Sequence, residues 1–254
     1  MKAITICFAY YENPEMLHEQ CRRLRKLPDA LKKYLRLIVV DDGTGAPKAA
    51  ADGALLEGIS PSTVEPAKYY DIGFPFEGYR MLLDIRWNQD ACRNLAVKHA
   101  QTDWVLLLDV DHIPPEQTLI SLVSDQHDPR RAYRFARYIL AQNEMVVPWK
   151  VAPNLWFLSQ AAFWSAGGYD ERLRGKYGSD RDIRDRLIDL YGVMIDLPAP
   201  LYAVGRSMVP DANTSTYTRK DKILDAGIAE IIQKRKNTPN CAPLHFRTPW
   251  ERAF

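Results

Sequence analysis

Apolar runs and helical periodicity alternate along the first half of the chain. Residues 3–9, 35–40 and 104–108 form mostly apolar stretches of the length of a buried strand. The segment that follows Pro14 and residues 88–100 instead repeat apolar side chains at helical spacing. This alternation of strands and helices predicts an open, mostly parallel, doubly wound sheet flanked by helices.

The second half predicts a smaller mixed region. Two strands, 132–140 and 145–151, are predicted on either side of a polar turn at 142–144. The pattern then predicts an apolar, aromatic stretch at 154–165, a sharp turn at 167–170, a helix at 180–191, a last strand at 201–204, a helix at 221–236 and an irregular tail at 237–254. Within the first half, residues 47–73 carry many Ala, Gly and Pro, which indicates a variable loop with a short helix and strand.

Two carboxylates directly follow the apolar run at 104–108. Asp109 and Asp111 stand one residue apart at the predicted end of a strand. Open α/β sheets bind ligands at the carboxyl ends of their strands, and paired carboxylates there suit Mg²⁺ or Mn²⁺. The pair therefore indicates a site for a metal–diphosphate substrate. The alternative is a polar turn, because Asp is frequent in turns.

Composition and charge set only broad limits. The chain has 254 residues and a formal net charge of +2, so it has no strong overall field. The cysteines, Cys7, Cys21, Cys92 and Cys241, are scattered and suggest neither a zinc site nor a disulfide framework. No run approaches a membrane span, and residues 4–11 resemble a first strand more than a signal peptide. These features predict a cytoplasmic protein.

Four motifs occur in the order typical of one enzyme family. They are VVDDGT at 39–44, ACRNLA at 91–96, LDVD at 108–111, and GGYDE at 167–171 followed by GSDRDI at 178–183. The chain thus resembles the nucleotide-sugar glycosyltransferases of the GT-A fold, especially those of family 2. The resemblance covers roughly residues 3–205. It implies a catalytic domain at 1–205, with a nucleotide-sugar half at 1–112 and an acceptor half at 113–205, and a C-terminal helix and tail at 206–254 that pack on the same domain.

The resemblance also implies roles for individual residues. The donor, expected to be a UDP-sugar, would contact Ala9, Asp41, Asp42, Arg93 and Asp109. Asp111, helped by Asp109, would hold Mn²⁺ or Mg²⁺ and so neutralise the departing diphosphate. Asp180 aligns with the carboxylate that acts as the general base in inverting relatives; the alternative role is a helix N-cap. For Arg93 the alternative is an ion pair with Asp41.

The chain departs from the family pattern at two places. Ser179 stands where relatives often carry Glu. The strand that follows the base usually delivers a His as a further metal ligand, but residues 201–208 contain none. His245 in the tail is the candidate replacement, and an incidental tail residue is the alternative.

Five further residues are candidate contacts of the donor sugar or the acceptor. They are His112, Trp156, Asp170, Glu171 and Asp182. The alternatives are a surface turn for His112, the apolar core for Trp156, and a purely structural role in the turn for Asp170 and Glu171.

The best interpretation from the sequence is a metal-dependent, inverting glycosyltransferase. A nucleotidyltransferase would show a Gly-rich basic loop after the first strand, which AYYE at 9–12 lacks. Carboxylates stand at three predicted turns, 41–42, 109–111 and 180–182. A non-catalytic sugar-nucleotide binding module would not need carboxylates at all three. The acceptor remains open between a glycan, a small molecule and hydroxymethylated DNA. The last would mean a phage-type enzyme of the host cytoplasm, with the basic cluster Arg130, Arg131, Arg134 and Arg137 on phosphates.

Overall fold

The computed structural model describes residues 1–140, 146–148, 151, 154–222, 226–238 and 242–254. In chain order the strands are β1 (Ile4–Tyr10), β2 (Leu35–Asp41), β3 (Lys48–Ala49), β4 (Phe76–Met81), β5 (Asp84–Ile85), β6 (Trp104–Asp109), β7 (His112–Ile113), β8 (Ala132–Leu140), β9 (Val146–Pro148), β10 (Trp156–Ser159), β11 (Ile195–Val204) and β12 (Trp250–Arg252). The helices are α1 (Pro14–Arg25), α2 (Asp29–Lys32), α3 (Gln89–His99), α4 (Glu116–Ser124), α5 (Gln160–Ser165), α6 (Asp180–Tyr191), α7 (Thr214–Arg219) and α8 (Ile228–Lys236), with a 3-10 turn at Glu171–Leu173.

One mixed sheet of ten strands forms the centre of the molecule. Its order from edge to edge is β12-β4-β2-β1-β6-β10-β8-β11-β7, with β9 paired to β8, while β3 and β5 form a separate pair. Strands β4, β2, β1 and β6 run parallel to one another. Beyond β6 the sheet becomes mixed, because β10 pairs antiparallel with both β6 and β8. The expected parallel half and smaller mixed region are therefore both present.

The two faces of the sheet carry separate apolar clusters. Along β1, Ile4, Ile6 and Phe8 pack on the face that α1 covers, whereas Cys7 points to the face that α3 covers. This alternation follows from the two-residue period of a strand. Burial on both faces explains why the strand sequences are almost continuously apolar.

The register of the parallel strands brings their polar ends together. Tyr10 pairs with Asp41, and Ala9 pairs with Asp109. Because β1, β2 and β6 run in the same direction, Ala9, Asp41 and Asp109 all lie where these strands end. We call this border of the sheet the carboxyl edge.

Several sequence-based boundaries need correction. Strand β4 was not predicted, although it joins the parallel half. The helix predicted at 221–236 begins only at Ile228, where Gly227 with its positive φ precedes it. The strand at 201–204 begins already at Ile195 and is not the last, since β12 pairs antiparallel with β4. Residues 47–73 contain β3 but no helix.

Some predictions fall on residues outside the described ranges. These are the turn at 142–144, parts of the strand at 145–151, and Cys241. Cys7, Cys21 and Cys92 are free and buried. In the described part of the chain, no helix has the length and apolar character needed to cross a membrane.

Candidate functional site

Three potential metal ligands lie together at the carboxyl edge. Asp109 ends β6, and Asp111 and His112 follow in the turn to β7. This turn is held from α1 by Gln20, whose side-chain amide donates to the carbonyl oxygens of Val110 at 2.7 Å and His112 at 2.8 Å. One ligand atom of each of the three residues lies within 4.8 Å of the others. They form the one such His, Cys, Asp or Glu group among the described residues.

The donor set of this group fits a divalent cation. The two carboxylates supply hard oxygen atoms, which suit Mg²⁺ or Mn²⁺. The His112 ring nitrogen Nδ1 lies 2.8 Å from Asp111 Oδ1, a contact that fixes the orientation of the ring. The sequence suggested His112 as a contact of the donor sugar or the acceptor, although its position directly after Asp111 was the available signal for a metal ligand.

Asp180 lies at the start of α6 and faces this group. Ser179 occupies the N-cap position, so the N-cap role considered for Asp180 is wrong. Asp180 Oδ1 instead accepts hydrogen bonds from Arg93 and, at 3.2 Å, from the Tyr169 hydroxyl. Burial raises the pKa of Asp180, while the neighbouring Arg93 opposes that rise.

Arg93 connects the base candidate to the metal-ligand candidates. It lies on the buried face of α3 and is 2% exposed. One guanidinium nitrogen donates to Asp180 and, at 3.0 Å, to the Tyr169 hydroxyl, and the other donates to Asp109 at 2.6 Å. Arg93 therefore pairs with Asp109 and Asp180 and not with Asp41, which was the alternative considered.

A cleft of about 370 Å³ opens over these side chains. Asp109, Asp111 and His112 line this cleft, and so does Asp180 at the start of α6. Asn154 also lines the cleft and donates to Asp109 at 2.9 Å. The cleft thus places two candidate metal carboxylates and one candidate base around a single space large enough for part of a substrate.

Two of the expected nucleotide-contacting residues, Asp41 and Ala9, lie at the carboxyl edge. Asp41 is buried, and its two oxygens accept backbone N–H groups of Thr44 and Ala67, both at 2.8 Å. Burial raises its pKa to about 6. Ala9 is half-buried at the end of β1. In this structure Asp41 shapes the loops that follow β2.

Asp42 lies in a buried ionic cluster that the sequence did not reveal. Arg219 at the end of α7 bonds to both Asp42 and Asp84, and its guanidinium carbon lies 3.1 Å from the centre of the Tyr11 ring. Burial raises the pKa of Asp42 to about 7 despite Arg219. Asp42 Oδ1 has no hydrogen-bond partner among the described residues. An adjacent cavity of about 250 Å³ is lined by Tyr11, Lys48, Asp84 and Arg219, among others.

His245 does not join the group at the carboxyl edge. Its Nε2 lies at hydrogen-bond distance from the Gly167 carbonyl oxygen, and its ring packs edge-on against Trp164 at 5.4 Å. These contacts hold the tail against the Gly167–Gly168 turn. His245 therefore lies outside the candidate metal group, and His112 takes its place as the third candidate ligand.

Three carboxylates predicted as possible sugar or acceptor contacts are bonded inside the protein. Asp170 accepts from Arg172 and Arg235, and Asp182 accepts from Arg186 and Arg235. Glu171 is fully buried and accepts from Asn94 and from the backbone N–H groups of Phe246 and Arg247. These contacts fasten the turn, α6 and the tail to one another, so they favour the structural alternative.

Trp156 lies in the core and not in the cleft. Its side chain has no exposed surface and packs on the α3 face of the sheet, with the Tyr169 ring centre 6.4 Å away. A stacking role for Trp156 on a sugar is corrected accordingly. The fully buried position follows from β10 being an inner strand, covered on both faces.

The basic cluster at 130–137 is not one surface. Arg134 and Arg137 are three residues apart on β8, so their side chains point to opposite faces of the sheet. Arg134 pairs with Asp196 at 2.8 Å, and Arg130 pairs with Asp128 at 3.4 Å. Arg131 donates to the Tyr191 carbonyl oxygen, while Arg137 is buried and lines the cleft 3.4 Å from His112 Nε2.

Comparisons with known proteins give structural matches only. No family model and no curated protein matches the sequence. The crystal structure of S. aureus TarS 1-349 in complex with UDP-GlcNAc matches with a TM-score of 0.60 and 17% identity, covering 94% of this chain and 68% of that one. A second crystal structure of S. aureus TarS 1-349 matches with a TM-score of 0.55 and 17% identity, covering 81% of this chain and 61% of that one. The structure of TarS 1-349 in complex with UDP matches with a TM-score of 0.52 and 15% identity, with the same coverage of each chain.

These matches show the fold of the chain. TarS is a GT-A-type glycosyltransferase, and the chain has a GT-A-like fold with a central, mostly parallel sheet flanked by helices. The chain spans about 61% to 68% of the length of the TarS 1-349 structures. The low identity leaves substrates and chemistry to be argued from the site itself.

Proposed function

We propose that the protein is a metal-dependent, inverting glycosyltransferase that moves a sugar from a nucleotide-sugar to an acceptor hydroxyl. The observation that carries the proposal is the set of side chains gathered in the cleft. Asp109, Asp111 and His112 lie together, Asp180 lines the same cleft, and Arg93 bonds to both Asp109 and Asp180. Separate carboxylates for metal binding and for proton transfer are what inverting sugar transfer requires.

Asp180 acts in this proposal as the general base. It takes the proton of the acceptor hydroxyl while that oxygen forms a bond to the anomeric carbon of the sugar. The bond from this carbon to the diphosphate breaks, and the nucleoside diphosphate leaves with the bonding electrons. Attack from the side opposite the leaving group inverts the anomeric centre. A well-placed base contributes roughly 10²- to 10⁴-fold to the rate.

Two further contacts prepare Asp180 for this role. Arg93 favours the charged carboxylate, and the Tyr169 hydroxyl donates to the same oxygen. Asp109, Asp111 and His112 would hold Mn²⁺ or Mg²⁺, which when bound stabilises the charge that develops on the diphosphate. Asn154 and Arg93 orient Asp109 toward that position.

A UDP-sugar is the donor that we propose. Asp42 Oδ1 is a buried acceptor with no hydrogen-bond partner among the described residues, and Arg219, which pairs with Asp42, lines the cavity beside Tyr11. The imide N–H of uracil would satisfy such an acceptor. The similarity to TarS, which has been crystallised with UDP-GlcNAc, makes this sugar nucleotide the first donor to test. A glycan, a small molecule and hydroxymethylated DNA all remain as acceptors.

Donor hydrolysis tests the proposal without knowledge of the acceptor. Wild-type protein should release UDP from a UDP-sugar, beginning with UDP-GlcNAc, when Mn²⁺ is present and stop when EDTA is added. Asp111→Asn should abolish release, whereas Asp189→Asn, an exposed aspartate on α6, serves as the matched control and should retain it. Equal release in thorough chelation would contradict the metal role. Retention of the anomeric configuration in a transfer product would contradict inversion.

A further inference from the structure

A buried hydrogen bond joins the starts of α3 and α6. The Ser179 hydroxyl donates to Asp90 Oδ1 at 2.8 Å, and the two residues are 3% and 2% exposed. Ser179 stands at the N-cap of α6, where a serine side chain usually accepts from the backbone of its own helix. Here it makes no such bond. Its hydroxyl instead donates to Asp90 on the neighbouring helix α3.

Retaining Asp90 in this position has a free-energy cost. Its second oxygen, Oδ2, has no hydrogen-bond partner among the described residues. Burial and the nearby charge of Asp180 raise the pKa of Asp90 well above its usual value. A buried carboxyl group with an unsatisfied oxygen destabilises a fold, so its contact with Ser179 calls for a functional reason.

Helix α3 holds the start of α6 at two points. Asp90 bonds to Ser179, and Arg93, three residues later on the same face of α3, bonds to Asp180. The two contacts therefore fix consecutive residues of α6.

We infer that Asp90 and Ser179 form an interhelical lock that positions the general base Asp180 over the cleft. This inference rests on the proposed function of Asp180. Asp90 and Ser179 are positioning residues, since they act through the backbone of α6 and touch no substrate. A displacement of a reacting group by about 1 Å can reduce a rate by as much as about 10²-fold, so a lock of this kind has a measurable effect on turnover.

A double-mutant cycle on UDP-GlcNAc hydrolysis tests the lock. The variants are Ser179→Ala, Asp90→Ala and the double variant, measured with saturating Mn²⁺ for kcat, KM and Tm. Ser159→Ala is the matched control, because Ser159 is another buried N-cap serine, which accepts from the Ala162 N–H of α5 and lies outside the cleft.

We expect Ser179→Ala to lower kcat by about 10-fold to 10²-fold and to change KM by less than about twofold. Asp90→Ala should have a similar effect, and the double variant should be no worse than the poorer single variant, because all three lose the same bond. Ser159→Ala should lower Tm and leave kcat unchanged. If Asp90→Ala does not fold, a comparison of kcat between Ser179→Ala and Ser159→Ala still tests the lock.

Wild-type kcat in Ser179→Ala would overturn the lock, as would independent, multiplying losses in the double variant. A fall in kcat that matches only the loss of folded protein would overturn it as well. Failure of the proposed function looks different, since the wild-type protein itself would then release no UDP from any UDP-sugar.

Discussion

Replacing Arg93 with Met removes the positive charge between Asp109 and Asp180. The guanidinium lies 2.6 Å from Asp109 and bonds directly to Asp180, and all three groups lie beside the cleft. Met has a similar length and an apolar side chain, so the helix can still pack. The substitution therefore tests the electrostatic role of Arg93 separately from its volume.

The size of the effect follows from the proximity of the charges. An opposite charge at contact distance lowers the pKa of a carboxyl, so Arg93→Met should raise the pKa of Asp180 further. In the unfolded chain the pKa is about 3.9. A carboxyl whose folded pKa lies above this value contributes stability at low pH and loses it as the pH rises. Removing one partner of a buried ion pair costs up to about 3–5 kcal/mol, so we expect the variant to lose at most about that much more stability than wild type between pH 4 and pH 8.

Two assays report on this change. Urea unfolding between pH 4 and pH 8 should show a stability difference that grows with pH. The acid limb of the kcat profile for UDP-sugar hydrolysis should move to higher pH. Arg186→Met is the matched control, since Arg186 pairs with the buried Asp182 away from the cleft, and it should leave the acid limb in place. An equal loss of stability at both pH values, with an unmoved acid limb, would refute the reasoning.

Three further predictions follow from single contacts. Asp180→Asn should cut hydrolysis by roughly 10²-fold or more while the Kd of UDP-GlcNAc changes little, and wild-type turnover would refute the base assignment. His112→Ala should raise the half-saturating Mn²⁺ concentration at least about 10-fold, whereas His245→Ala should not; the reverse result would restore His245 as the ligand. Gly78→Ala should cost about 1–3 kcal/mol in urea unfolding, because the new methyl carbon would lie 2.2 Å from the Phe254 ring, and a neutral result would contradict this packing.

The carboxyl edge could be predicted from the sequence because its signal is local. Apolar runs of strand length identified β1, β2 and β6, and the carboxylates that follow them pointed to the edge where parallel strands end. The order of the motifs then indicated a GT-A-like fold, which the structure confirms. The metal, nucleotide and catalytic roles of Asp111, Asp42 and Asp180 remain predictions that the experiments above address.

The partners of these residues could not be read from the sequence. Arg219 reaches Asp42 across 177 positions, and Arg93 reaches Asp180 across 87. Strand β12 joins the sheet edge although the tail shows little periodicity, because its three residues gain their order from pairing with β4. The candidate roles of His245 as a metal ligand and of Trp156 as a sugar contact could not be judged from the sequence either. Residue type does not indicate which side of a packed layer a side chain faces.

The sequence by itself determined three of the four parallel strands, the helices that flank them and the edge at which their carboxylates gather. These features depend on the periodicity of neighbouring residues, which a chain carries in its local pattern. Only the tertiary structure decided that His112 joins Asp109 and Asp111, that Arg93 links them to Asp180, and that Asp90 holds Ser179. Those contacts depend on the register between strands and on the packing of helices against the sheet, and both are set by the burial of the whole core.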